Sequence, residues 1–122
     1  MKICVLGGSG FIGTRLINRL VNLNNLNLVI FDKSPSKSFG NIVSLGDVRS
    51  LAQLREHIPE GSIIINLAAE HRDDVRPLSL YDEVNVGGAE NICIVAREKS
   101  VKTIIFTSTV ACLLYTSDAA DE

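Results

Sequence analysis

Four glycines fall within seven residues, Gly7-Gly8-Ser9-Gly10-Phe11-Ile12-Gly13, where one periodicity gives way to another. Ahead of them Ile3-Cys4-Val5-Leu6 is an unbroken apolar run, the pattern of a parallel strand buried on both faces. Behind them, from Phe11, the apolar residues Ile12, Leu16 and Leu20, with Ile17 and Val21 beside them, recur at helical spacing. A strand that becomes a helix in so few residues needs backbone without Cβ. Gly7 permits the tight turn, Gly10 leaves the backbone open to close approach, and Gly13 lets the helix lie near the sheet.

The rest of the chain repeats the alternation. Leu28-Val29-Ile30-Phe31 reads as a second strand closed by Asp32, and residues 33–41, with Pro35 and Gly40, read as a surface loop. Ile42-Val43-Ser44-Leu45 is a weaker third strand leading to Gly46-Asp47. Leu51, Leu54 and Ile58 are spaced for a short helix that Pro59 and Gly61 end. Ile63-Ile64-Ile65-Asn66-Leu67 is a fourth strand, Leu78 to Ser100 carries a long helix, and Thr103-Ile104-Ile105-Phe106 is a fifth strand. Strands alternating with helices imply right-handed crossovers and a parallel sheet covered on both faces. The expectation is an α/β, Rossmann-type doubly wound sheet of order 3-2-1-4-5, truncated after strand 5. Its ligands would bind beyond the strands' carboxyl ends, between strands 1 and 4.

A glycine turn between such a strand and helix can hold a dinucleotide pyrophosphate on the free N–H groups and partial positive charge of the helix N-terminus. Asp32 ends the second strand 19 residues after Gly13, where a carboxylate can accept hydrogen bonds from the adenosine ribose. It would repel a 2′-phosphate, which favours NAD over NADP, while Lys33 beside it weighs the other way. The bland alternative is a structural turn followed by an exposed acid.

The glycine spacing here is G-x-x-G-x-x-G. With the motifs that follow, it resembles the extended short-chain dehydrogenase/reductase family, the nucleotide-sugar epimerases and dehydratases, over residues 1–111. The resemblance assigns Phe11 and Ile12 to the cofactor site with Gly7, Gly10 and Gly13. Gly46-Asp47-Val48-Arg49 looks like the segment whose acid meets the adenine amino group while the next residue packs on the ring. Asp47 could instead serve only as the N-cap of the following helix. Asn66-Leu67-Ala68-Ala69 is similar to the strand-4 signature, whose small residues let the backbone lie against the cofactor. Asn85-Val86-Gly87-Gly88-Ala89 resembles the N-V-x-G-T segment, with Ala89 in place of threonine. Asn85 could merely cross-link backbone, and two glycines inside a helix cost roughly 1–2 kcal/mol relative to alanine, which suggests close packing. Phe106-Thr107-Ser108-Thr109 looks like the end of the family's fifth strand and adds Thr107 to the cofactor contacts.

The resemblance also implies a chemistry. A hydroxyl residue at the end of strand 5, here Thr109, orients a sugar hydroxyl or keto oxygen, and a Tyr-x-x-x-Lys pair moves the proton. Thr109 could equally be a plain strand terminus. No Tyr-x-x-x-Lys occurs: Tyr81 is followed four residues on by Asn85, and Tyr115 by Ala119. The chain by itself is therefore expected not to turn over. His71 stands where the resembled epimerases reach toward the nicotinamide. Its neighbours Arg72, Asp73 and Asp74 read as a solvated loop that could touch substrate, and a metal site from His71 and the aspartates would need inward-facing ligands. No metal is expected.

Net charge is −2 with scattered Lys and Arg, which argues against a nucleic-acid partner, and no apolar run is long enough for a membrane span. Cys4, Cys93 and Cys112 lack metal-like spacing, and with no signal-peptide layout this favours a reduced, cytoplasmic protein. Residues 112–122 read as foreign to the 1–111 domain, since Cys112 to Glu122 back-translates into the transposon-end adapter of sequencing libraries. The resulting expectation is an NAD-dependent nucleotide-sugar epimerase or dehydratase, represented by its cofactor-binding half and forming a possible homodimer when complete. The alternatives are a hydroxysteroid- or carbonyl-reductase-like oxidoreductase and a non-catalytic dinucleotide sensor.

Overall fold

The apolar run at the amino terminus becomes the central strand because its side chains are buried on both faces. The computed structural model describes residues 1–23, 26–68 and 83–107. In chain order these form β1 (Lys2–Leu6), α1 (Phe11–Leu20), β2 (Asn27–Asp32), a 3-10 turn (Gly40–Ile42) and β3 (Val43–Leu45). They continue with α2 (Leu51–His57), β4 (Ile63–Asn66), a π turn (Glu83–Gly87), α3 (Gly88–Glu98) and β5 (Thr103–Phe106). The strands make one five-stranded sheet of order β3-β2-β1-β4-β5, as the alternation predicts. All pairs are parallel; Ile3 aligns with Leu28 on one side and with Ile63 on the other.

Side-chain alternation sorts the core into two layers. Cys4, Leu6, Phe31 and Ile64 face one way and pack with Leu54 and Ile58 near α2 and with Ile92, Val95 and Ala96 of α3. Ile3, Val5 and Ile30 face the other way and pack with Ile17 of α1. The order reverses between β1 and β4, so a crevice opens at their carboxyl ends.

The structure refines three local readings. Ile12 and Val21 share the helical spacing of α1, yet Ile12 is 61% and Val21 46% exposed. Ile17 and Gly13 carry the burial instead. The long helix begins its regular α turn only at Gly88, after the wider π turn, while 78–82 lie outside the described residues. Asp47 is not the N-cap of α2: Ser50 holds that place, its Oγ accepting from the Gln53 N–H at 3.3 Å. Residues 112–122 also lie outside the described residues. Among the described residues no helix is long and apolar enough to cross a membrane.

Cys4 has no exposed surface, and burial pushes its thiol up to about 12, so the reactive thiolate is scarce at neutral pH. Alkylation of the native protein at about pH 8 should leave Cys4 unmodified while Cys93, only partly buried, reacts; denaturant should expose both. Peptide mapping by mass spectrometry reads this out, and rapid native labelling of Cys4 would contradict its central place.

Candidate functional site

At the end of β1 the chain turns at Gly7, whose φ of +81° is the left-handed region that glycine tolerates best. The Gly7 N–H donates to the Phe31 carbonyl at 2.8 Å, carrying the β1–β2 ladder into the turn. A Cβ on Gly7 would lie 2.7 Å from the Ala68 nitrogen, because the turn presses on the backbone after β4. A Cβ on Gly8 would overlap Ile30 Cγ2, and one on Gly13 would lie 2.6 Å from Gly8 Cα. Gly13 thus brings the helix close against the turn. Gly8, to which no task was assigned from the sequence, is what seats the turn on the sheet.

Gly10 differs from these three. Its φ of −78° and ψ of −174° suit any residue, and the nearest protein atom to a Cβ there would be the Gly7 oxygen at 3.7 Å. The space in front of it is a cleft of about 470 Å³. The N-terminus of α1 opens on this cleft with no side-chain cap and no acid in its first turn, so its orphan N–H groups suit an anion. Phe11 and Ile12 also line it and are 72% and 61% exposed. The Arg15 guanidinium stacks 3.8 Å from the Phe11 ring centroid.

Asp32 forms the next wall. One carboxylate oxygen accepts from the Ser9 N–H at 2.9 Å and the other from the Ser34 N–H at 3.0 Å, so the carboxylate is fixed to the glycine turn. Beyond it, the loop from Gly46 to Arg49 closes over the Phe31 ring, and a Cβ on Gly46 would stand 2.5 Å from that ring. The Asp47 carboxylate pairs with the Arg49 guanidinium at 2.7 Å and also accepts the Arg49 backbone N–H at 2.9 Å. The Arg49 hydrogen bond holds the Asp47 carboxyl below the usual carboxylate range, so it stays charged wherever the protein is folded near neutrality. On the opposite side Asn66 Oδ1 accepts the Ala68 N–H at 3.0 Å and ends β4. The Thr107 N–H reaches the Asn66 carbonyl at 3.4 Å.

The pattern that matches this chain across residues 4–119 is that of the 3-beta hydroxysteroid dehydrogenase/isomerase family. The chain belongs to that family. It is 42% identical over 113 residues to the N-acetyl-alpha-D-glucosaminyl-diphospho-ditrans,octacis-undecaprenol 4-epimerase of Escherichia coli O157:H7, covering 90% of this chain and 33% of that protein. It is 31% identical over 115 residues to short-chain dehydrogenase/reductase family 42E member 1 of Bos taurus, covering 88% of this chain and 29% of that one. The UDP-glucose 4-epimerase of Thermus thermophilus, solved in complex with NAD, superposes with a TM-score of 0.75 at 26% identity. That match covers 89% of this chain and 38% of the solved one. The chain thus spans about a third of the length of the relatives it matches.

In this member of the hydroxysteroid dehydrogenase/isomerase family, the cleft gathers most of the residues named from sequence. Gly7, Gly10, Phe11, Ile12 and Gly13 line one wall, Asp32 and Lys33 the next, Asp47 and Val48 the far end, and Leu67, Ala68 and Thr107 the opposite side. Asn85 is placed elsewhere, in a shallow groove with Val86, Ala89 and Cys93 on the outer side of α3. Its neighbour Val84 lines the cleft instead. Ala69, His71 and Thr109 lie outside the described residues, as do Asp73 and Asp74 of the weighed metal site. Phe31 and Gly46 also line the cleft although sequence named neither as a contact. Strand alternation could have flagged Phe31, whose ring packs on the opposite face from Ile30.

The glycines therefore separate by substitution. Gly13→Ala should destabilise the fold by about 1–3 kcal/mol through overpacking. Gly10→Ala, where no neighbour obstructs a Cβ, should cost well under about 1 kcal/mol, since the stiffer unfolded chain offsets the modest penalty of alanine at an N-cap. Thermal unfolding of both variants checks this, and a Gly10→Ala variant as unstable as Gly13→Ala would show that packing alone explains the motif.

Proposed function

We propose that the protein carrying this chain is an NAD-dependent nucleotide-sugar epimerase or dehydratase. Gly10 carries the reading: a residue with no conformational or packing need to be glycine faces an open cleft at an uncapped helix N-terminus. That is the requirement of a pyrophosphate in close contact with backbone. Gly10 to Gly13 would hold the pyrophosphate, Asp32 the adenosine ribose hydroxyls, and Asp47 with Val48 the adenine. NAD, when bound, supplies a hydride acceptor that returns the hydride within one turnover. Thr109 would orient the reacting sugar oxygen. The sequence holds no Tyr-x-x-x-Lys, so turnover requires a proton partner that these 122 residues do not supply.

The 42%-identical relative is named for a sugar on a diphospho-undecaprenol and the solved relative for UDP-glucose. The shared chemistry is a glycosyl diphosphate, on which our substrate reading rests. The second reading, a hydroxysteroid-type oxidoreductase, is favoured by the family pattern itself. We further propose a cytoplasmic homodimer for the complete protein. The free thiols Cys4 and Cys93 support the compartment, and the exposed Val86 and Ile94 on the outer side of α3 support the interface.

Titration of the full-length protein should give NAD at least about tenfold tighter than NADP, because the Asp32 carboxylate repels a 2′-phosphate. Asp32→Ala should narrow that ratio from both sides, weakening NAD through the lost ribose hydrogen bonds and relieving NADP of the repulsion. Tighter binding of NADP would overturn the role of Asp32. Assay with UDP-glucose, undecaprenyl-diphosphate sugars and 3β-hydroxysteroids separates the two readings, and turnover of the steroid alone would favour the second.

A further inference from the structure

We propose that Asn91 is a positioning residue that sets the adenine end of the cleft from a helix lying behind it. The inference rests on the dinucleotide reading. Asn91 sits on α3 and does not line the cleft, yet its Nδ2 donates to the Val48 carbonyl at 3.1 Å and the Arg49 carbonyl at 3.2 Å. An amide nitrogen has two hydrogens, and these two carbonyls use both. The partners lie 43 and 42 residues away in sequence, so the contact fastens one part of the fold to another.

The clamped loop needs such a fastening. After the Gly46 N–H donates to the Asp32 carbonyl at 2.9 Å, the segment leaves the β-ladder. On its α2 side the Asp47 N–H donates to Gln53 Oε1 at 2.8 Å. On its α3 side Asn91 holds the next two carbonyls. The two anchoring helices are themselves joined, since the Arg55 guanidinium meets the Glu98 carboxylate at 2.8 and 2.9 Å. Asp47 and Val48, the residues that would meet the adenine, therefore take their position from Gln53 and Asn91. Removing the Asn91 donors frees the loop at one end of the cleft and leaves the glycine turn untouched. The cost should fall on the adenosine half of a dinucleotide alone.

The test uses the full-length protein with ADP-ribose and nicotinamide mononucleotide as separate probes. Asn91→Asp keeps the shape and loses both donors, and Asn91→Ala removes the group. Asn91→Ala should weaken ADP-ribose about tenfold, the size expected for two neutral hydrogen bonds, and Asn91→Asp, which sets a carboxylate against the two carbonyls, by at least as much. Asn91→Ser, which keeps one donor, should fall between them and the wild type. Affinity for nicotinamide mononucleotide and kcat at saturating NAD should not change, and amide exchange over residues 47–50 should quicken. A role in stability alone would lower the melting midpoint and leave ADP-ribose affinity within about twofold, overturning the inference. Equal weakening of both probes would overturn it too. Failure of the wild type to bind ADP-ribose at all would overturn the dinucleotide reading, and this inference with it.

Discussion

Among the described residues, backbone meets backbone without side chains between at two places, and the rest of the site hangs on them. Gly7 lies against Ala68, and Gly13 lies against Gly8. The first contact holds the turn after β1 at the end of β4, on the side where the strand order reverses. The second contact presses α1 onto that turn, which aims the helix N-terminus along the crevice instead of past it. A methyl group at either place would separate the pieces by several tenths of an ångström or more, in a region packed too tightly to absorb it. The crevice at the switch between β1 and β4 is thus a consequence of four small residues, Gly7, Gly8, Gly13 and Ala68.

Polar contacts then tie the walls of the crevice to one another. Asp32 reaches back to the Ser9 N–H, so its wall cannot move independently of the glycine turn. Gln53 and Asn91 fasten the loop from Gly46 to Arg49 to α2 and α3, and Asn66 shapes the exit from β4. Each of these bonds uses a side chain to satisfy a backbone group that has left the ladder, which is how irregular segments stay ordered beside a binding site. The electrostatic pattern follows: a helix N-terminus at the middle of the cleft and fixed carboxylates at one end. Such an arrangement suits a molecule with a central anion and a polar, hydroxyl-bearing end.

What was legible in the sequence follows the range of the physics behind it. Ile63-Ile64-Ile65 announces a strand buried on both faces because its signal is local. The order 3-2-1-4-5 follows from alternation and crossover handedness, which are nearly universal. Helical spacing in α1 shows which residues share a face, not whether that face meets the core, as at Ile17, or an open cleft, as at Ile12. The task of Gly8 was invisible because its neighbours, Ile30 and Ile17, are fixed only when β2 and α1 pack. Asn91 gave no sign, since nothing local distinguishes an amide that clamps a loop 43 residues back from one facing water. Ser50 took the cap that Asp47 was weighed for, because Asp47 is engaged by Arg49.

We place a dinucleotide in the cleft of Gly10, Asp32 and Asp47 as a proposal open to direct test. Amide hydrogen exchange of the full-length protein with and without NAD tests this most directly. NAD should slow exchange in residues 7–13, 32–34 and 46–49, with no change over the outer groove at Val86 and Ile94. Protection absent from the glycine turn, or confined to that outer groove, would contradict it.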